Sequence, residues 1–170
     1  MIMTIKSINV LFGIFAILAL VLGSATQGEA ETLKCKTELK MGLIENQQVD
    51  NSYFVGFNTR EGLGTCDNGE TAEVKSYAVW NADWPKECFT TVIVVYTFKD
   101  FARIITKGSL RQVEDPKGEA EWIWEGTGEI IKGVTRFRGI KGSISFKGKQ
   151  ERGDKKASQE ITLTYTLPPK

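Results

Sequence analysis

Apolar and polar residues alternate along most of the chain after residue 30. In LKCKTELKM, residues 33–41, small or apolar residues occupy every second position and lysine or glutamate fills the others. Successive side chains of an extended strand point to opposite faces. A two-residue period therefore puts the apolar residues on a buried face and the polar residues on a face in water. The same alternation occurs in IKGSISFK, residues 140–147, and in ITLTYTL, residues 161–167. This pattern predicts β-strands and no helix after residue 30.

The complete set of predicted strands is short and regularly spaced. It comprises residues 33–41, 53–57, 72–80, 89–98, 102–106, 110–113, 119–125, 129–131, 140–147 and 161–167. Links of hairpin length, rich in Gly, Asp and Pro, separate most of them. We therefore predict an all-β fold, a single antiparallel, calycin-like β-barrel of about eight strands, in preference to an open sandwich.

The amino terminus has the pattern of a secretory signal peptide. An apolar run from Val10 to Leu22 follows Lys6, and small residues end at Ala30. The run is shorter than the about 20 residues of a membrane-spanning helix, although an uncleaved anchor helix is the alternative. We predict a signal peptide over residues 1–30, cleaved after Ala30 or alternatively after Ala25, and a barrel domain over residues 31–170. After cleavage we expect a secreted or periplasmic protein with no stable membrane insertion.

The composition restricts the partners and the catalytic mechanisms that are open to this chain. The chain has 22 Lys and Arg against 21 Asp and Glu, so its charge gives no reason to expect a nucleic-acid partner. It contains no histidine, which excludes Ser-His-Asp and Cys-His catalysis and the histidine-based metal sites. We predict no metal site and no cofactor, and the sequence identifies no catalytic residue.

Three cysteines follow the predicted cleavage site, an odd number that permits one disulfide and one free thiol. Cys66 lies in the turn-like GTCDNGE and Cys88 ends the irregular NADWPKEC, so two loops at strand ends can meet there. We predict a Cys66–Cys88 disulfide. Cys35 lies within an alternating strand and is predicted to be a buried thiol.

A glycine-rich segment covers residues 125–149. It contains neither G-x-G-x-x-G nor G-K-[ST], and the residues that follow its glycines alternate as a strand rather than starting a helix. A phosphate-binding loop is therefore disfavoured. The glycines instead favour turns, bulges and bends of a strongly curved sheet.

The pattern W-x-W-x-G-T-G-x-I-x-x-G-x-x-R-F-x-G-I-K-G, residues 122–142, resembles a segment of the allene oxide cyclase and dirigent superfamily, which includes secreted bacterial relatives. The family segment reads G-x-G-x-I-x-G-G-T-G-x-F-x-G-x-x-G. The resemblance implies an eight-stranded antiparallel barrel, often trimeric, with a pocket for apolar small molecules at one end. This chain departs from the family's G-G-T-G at residues 132–135, and no catalytic residue of the plant enzymes matches a position here.

Candidate site residues follow from the alternation around residue 122. Trp122 and Trp124 share one strand face and, with Tyr96, either line an interior ligand pocket or pack as core. Glu121 and Glu125 share the opposite face and would form an acid-base pair only if they pointed inward.

Three hypotheses for function remain. The favoured one is a barrel that binds a small apolar ligand. A cyclase or isomerase of the allene oxide cyclase and dirigent type is the second, so an enzyme is neither excluded nor favoured. The third is an inhibitor-like module that binds protein through Trp80 and Trp84 in VWNADWP.

Overall fold

The computed structural model describes residues 29–83, 87–151, 153 and 156–169. It is a closed barrel of eight antiparallel strands, which confirms the predicted fold class. The strands are β1 Glu31–Gln48, β2 Tyr53–Cys66, β3 Thr71–Asp83, β4 Glu87–Phe98, β5 Arg103–Glu114, β6 Trp122–Val134, β7 Lys141–Gln150 and β8 Lys156–Thr166.

Each strand pairs with the next along the chain, and β8 returns to β1, so every one of the eight described strands has a neighbour on both sides. The β1–β8 register runs from Glu31 opposite Tyr165 to Lys40 opposite Lys156. The alternation of the sequence matches this pairing. On β1 the buried positions are Leu33, Cys35, Thr37 and Leu39, and the lysines and glutamate between them are exposed.

Two pairs of predicted strands are single long strands. Residues 102–106 and 110–113 both overlap β5, and residues 119–125 and 129–131 both overlap β6. Gly108 and Gly128 lie opposite each other in this β5–β6 ladder rather than in turns. A Cβ on Gly108 would lie 2.9 Å from Cε2 of Phe146, so the missing side chain leaves room for that ring inside the barrel.

One end of the barrel is closed by packed aromatic rings. The 3-10 turn Thr135–Phe137 follows β6, and Phe137 packs against Phe98 with ring centroids 5.2 Å apart and against Tyr165 at 6.2 Å. The guanidinium carbon of Arg136 lies 4.7 Å from the centre of the Phe137 ring. Phe137 is buried and Arg136 is exposed.

The disulfide prediction is wrong. Cys35 bonds Cys66, and Cys88 is a free, buried thiol. The physical reason is the register: Cys35 and Cys66 face each other across the β1–β2 ladder, on inward positions of adjacent strands. Cys88 lies near the start of β4, opposite Ala82 on β3 and Gln112 on β5, and thus at the other end of the barrel from Cys66.

Some sequence predictions fall outside the described residues. Residues 1–28, which make up most of the predicted signal peptide, are among these, so that segment stays a prediction. Trp84 is also outside them. Within the described part of the chain, no helix is long and apolar enough to cross a membrane.

Candidate ligand-binding site

The barrel interior is packed at the end closed by Phe137 and hollow at the other, which we call the open end. A cavity of about 450 Å³ lies at the open end, and a void of about 40 Å³ continues below it. The cavity has the size of a small-molecule site. Its lining residues are Met41, Ile44, Asn46, Phe54, Asn58, Arg60, Trp80, Ala82, Cys88, Thr90, Gln112, Trp122 and Gln150.

Aromatic side chains form much of the wall. Trp122 is 8% exposed at the cavity, and Trp124 is 4% exposed beside the void beneath it. Trp124 lies over Gly148 on β7, where an added Cβ would come within 2.5 Å of the indole. Trp80 lies over Gly56 on β2 in the same way. Glycine on the neighbouring strand lets each indole lie against the barrel wall instead of filling its centre.

One positive charge lies inside this aromatic wall. Arg60 on β2 is half-buried, and its guanidinium carbon lies 5.0 Å from the centre of the Trp124 ring, within cation-π range. The indole nitrogen Nε1 of Trp124 donates a hydrogen bond to Oε1 of Gln159 at 3.1 Å, which fixes the ring orientation. Burial lowers the pKa of Arg60, and interaction with Cys88 offsets part of that effect.

Cys88 is the second titratable group of the cavity. Its Sγ lies 3.7 Å from Oγ1 of Thr90, close enough for a weak hydrogen bond. Burial raises the pKa of the Cys88 thiol, against smaller lowering effects of Thr90 and Arg60. The neutral thiol is therefore the dominant form at pH 7, and the thiolate that nucleophilic chemistry needs is disfavoured.

The structure separates the three predicted ligand-binding residues. It brings Trp122 and Trp124 to the hollow part of the barrel, whereas Tyr96 is 1% exposed and lies in the packed core. Tyr96 stands between Val74 and Ile104 in the register, away from the cavity lining.

The predicted acidic pair points outward. Glu125 is exposed, and Oε2 of Glu121 accepts a hydrogen bond from the backbone N–H of Gly153 at 3.2 Å. Among the described residues, neither the cavity nor the void below it is lined by a carboxylate. Trp80, predicted as part of an exposed patch, instead faces the cavity.

Sequence reasoning missed the polar side of the cavity. The inward-facing residues of β2 include Asn58 and Arg60, and those of neighbouring walls include Gln112 and Gln159. The predicted strand stopped at residue 57 because no apolar alternation continues beyond it. The signal that could have extended it is the hairpin register itself, since β1 and β3 are long enough to require a long β2 between them.

Two larger concavities lie on the outer wall, with volumes of about 940 and 920 Å³. Both are bordered by the exposed charged side chains of Arg111, Glu125, Lys147 and Glu160. These four side chains lie opposite one another on β5 to β8, so they form a row of alternating charge that is exposed to water. The interior cavity combines concavity, aromatic walls and convergent polar groups, and it is therefore the stronger candidate site.

Comparison with protein-family models, with curated protein sequences and with solved structures found no match for this chain. Within the described residues, no cluster of Cys, Asp or Glu side chains could hold a metal ion. The geometry of the cavity alone therefore guides the inference of function.

Proposed function

We propose that this protein binds a small, largely apolar molecule in the cavity at the open end of the barrel. The observation that carries the proposal is the contrast between the two ends. The closed end is filled by residues such as Phe98, Phe137 and Tyr165, whereas the open end leaves about 450 Å³, with Trp80 and Trp122 in its lining. A cavity of that size in so small a domain removes packing contacts, which is a cost in stability that ligand binding can offset.

We further propose that the protein acts in a secreted or periplasmic setting. The Cys35–Cys66 disulfide supports this location, because structural disulfides persist in oxidising compartments and are rare in the cytosol. The predicted signal peptide over residues 1–30 supports it independently.

Membership in the allene oxide cyclase and dirigent superfamily remains a proposal that rests on the sequence pattern of residues 122–142. A cyclase or isomerase activity receives no support from the described cavity lining, which lacks the carboxylates that acid-base chemistry without histidine would require. Binding without chemistry is the function that the geometry supports best.

Fluorescence titration with the neutral dye N-phenyl-1-naphthylamine tests the binding proposal. We expect the dye to gain emission with the wild-type protein. Ala82 is 3% exposed and lines the cavity. We expect Ala82→Phe to weaken dye affinity by about tenfold or more, because the added ring occupies the binding volume.

Asn81→Phe is the matched control because Asn81 precedes Ala82 on β3 and is exposed on the outer wall. That variant should bind the dye like the wild type. Equal weakening in both variants, or no dye binding to the wild type at any accessible concentration, would contradict the proposed function.

A further inference from the structure

Arg60 carries a charge that nothing else in the described cavity neutralises. No ion pair joins it to a described carboxylate, and no described side chain hydrogen-bonds its guanidinium; its contact is the ring face of Trp124. Other arginines differ: Arg111 pairs with Glu87 at 2.7 Å, and Arg136 pairs with Glu70 at 2.7 Å. Removing a charge from water without a partner is costly, so an unpaired arginine inside a barrel calls for an explanation.

The neighbouring thiol does not supply the missing negative charge. Cys88 interacts electrostatically with Arg60, and burial raises the pKa of its thiol. At neutral pH the thiol is uncharged, whereas arginine keeps its proton throughout the physiological range. The cavity therefore has a net positive charge and attracts anions.

The surroundings of Arg60 further restrict the ligand. Asn58 and Gln112 line both the cavity and the void below it, next to Arg60, and offer amide N–H donors. The indole N–H of Trp80 is buried with no acceptor among the described residues. Phe54, Trp80 and Trp122 also line the cavity, and aromatic faces favour stacking with a planar ring system.

We propose that the cavity binds a small planar aromatic monoanion, such as an arene carboxylate, with its charged group on Arg60 and its ring system among Trp80, Trp122 and Trp124. A carboxylate can accept two parallel hydrogen bonds from one planar guanidinium group. Arg60 reaches the lower void as well as the cavity, whereas Trp122 and Phe54 line the upper cavity alone. The anionic group thus enters first and the ring system lies toward the open end. This inference rests on the proposed ligand-binding function and adds the chemical class of the ligand.

Calorimetric titration with 2-naphthoate and 2-naphthamide tests the charge requirement, because the two probes have nearly the same shape and differ in charge. We expect wild-type protein to bind 2-naphthoate about 10- to 100-fold more tightly, as a charge-assisted hydrogen-bonded pair provides. A saturated analogue, decahydro-2-naphthoate, keeps the charge and lacks the ring faces, and we expect it to bind several-fold more weakly than 2-naphthoate.

Three variants test whether Arg60 is responsible for the preference for 2-naphthoate. Arg60→Met should abolish the preference for 2-naphthoate while retaining affinity for 2-naphthamide. Arg60→Lys should keep part of it, since the charge remains and the planar fork is lost. Arg111→Met, on the outer wall, should leave it unchanged.

The outcomes separate this inference from the broader proposal. If N-phenyl-1-naphthylamine and 2-naphthamide bind but 2-naphthoate is not preferred, the assignment of an anionic ligand is overturned and the binding function stands. If Arg60→Met retains the full preference, the role of Arg60 is overturned. If none of the three probes binds, both proposals fail together. The wild-type comparison of the two naphthalene probes needs no variant and so does not depend on how the variants fold.

Discussion

Tyr165 couples the closed end of the barrel to pH. Its hydroxyl donates a hydrogen bond to Oε2 of Glu31 at 2.9 Å, and its ring packs edge-on against Phe137. Burial, with a further contribution from Glu31, raises the pKa of Tyr165 to about 12. The neutral hydroxyl is thus favoured in the folded state, so its stabilising effect is present below the unfolded pKa of about 10 and is lost as the pH rises through about 12.

We predict that Tyr165→Phe lowers the free energy of unfolding at pH 9 by about 1 kcal/mol, the usual net value of one hydrogen bond. Between pH 9 and about 11.5 this difference from wild type should shrink, because ionisation destabilises only the protein that has the hydroxyl. Urea unfolding at each pH measures it. A difference that stays constant or grows with pH would contradict the assigned pKa.

At the scale of residues, sequence reasoning predicted apolar positions better than polar ones. The alternation of residues 140–147 correctly predicted burial of Ile140, Ile144 and Phe146, because burying apolar side chains lowers the free energy of the folded state. Arg60 could not be found this way. The neighbours of Arg60 in the sequence are polar as well, so the sequence gives no sign that Arg60 faces the interior. Its position on β2 in the folded barrel shows that it faces the cavity.

At the scale of elements, β1 and β2 form a long hairpin that is tied at the closed end. The turn between the strands lies at residues 49–52, and the Cys35–Cys66 bridge joins the other ends of the two strands. The bridge spans a sequence separation of 31 residues, so chain-entropy arguments assign it about 3 to 4 kcal/mol of stability.

We predict that the double variant Cys35→Ser/Cys66→Ser unfolds in urea with a free energy about 3 kcal/mol lower than that of wild type. Cys88→Ser is the matched control, since it removes a cysteine without removing a bond, and its loss should be clearly smaller. A reducing agent should destabilise the wild type and leave the double variant unaffected. Comparable losses in both variants would show that side-chain packing, and not the bridge, is responsible.

Strand number and boundaries were predictable where one face is continuously apolar. β4 was predicted as residues 89–98 and spans Glu87–Phe98, because its inner face is apolar along most of its length. β5 and β6 each appeared as two strands because glycines interrupt their alternation. Inside a barrel these glycines remain in the ladder and make space for large side chains of other strands, an effect that depends on contacts distant in sequence.

At the scale of the whole molecule, the barrel is packed and cross-linked at one end and hollow at the other. The disulfide, the aromatic cluster around Phe137 and the ion pairs of Arg136 with Glu70 and Asp100 all lie at the closed end. The open end instead has the cavity and Arg60, whose guanidinium has no ion-pair partner among the described residues. Because the closed end holds all eight strands in register, the open end can keep an incompletely packed interior without loss of the fold.

The outer wall of β2–β4 has an apolar patch, which consists of Val55, Phe57, Tyr77, Val79, Phe89 and Ile93. Val79 is 63% exposed and Phe89 is 49% exposed. Contiguous exposed apolar side chains of this kind mark protein contacts. The trimeric homo-oligomer that the sequence resemblance implies stays a prediction, and this patch is the surface on which we expect the copies to meet.

We predict that native mass spectrometry detects a homo-oligomer of the wild-type protein and that Val79→Lys/Phe89→Lys shifts it to monomer. The two lysines would place charges in a surface that assembly must remove from water, which carries a large cost in free energy. Leu63→Lys is the control, because Leu63 is 65% exposed on β2 but lies outside the patch, and it should leave assembly unchanged. A monomeric wild type, or an oligomer that survives both lysines, would show that this patch does not join copies of the chain.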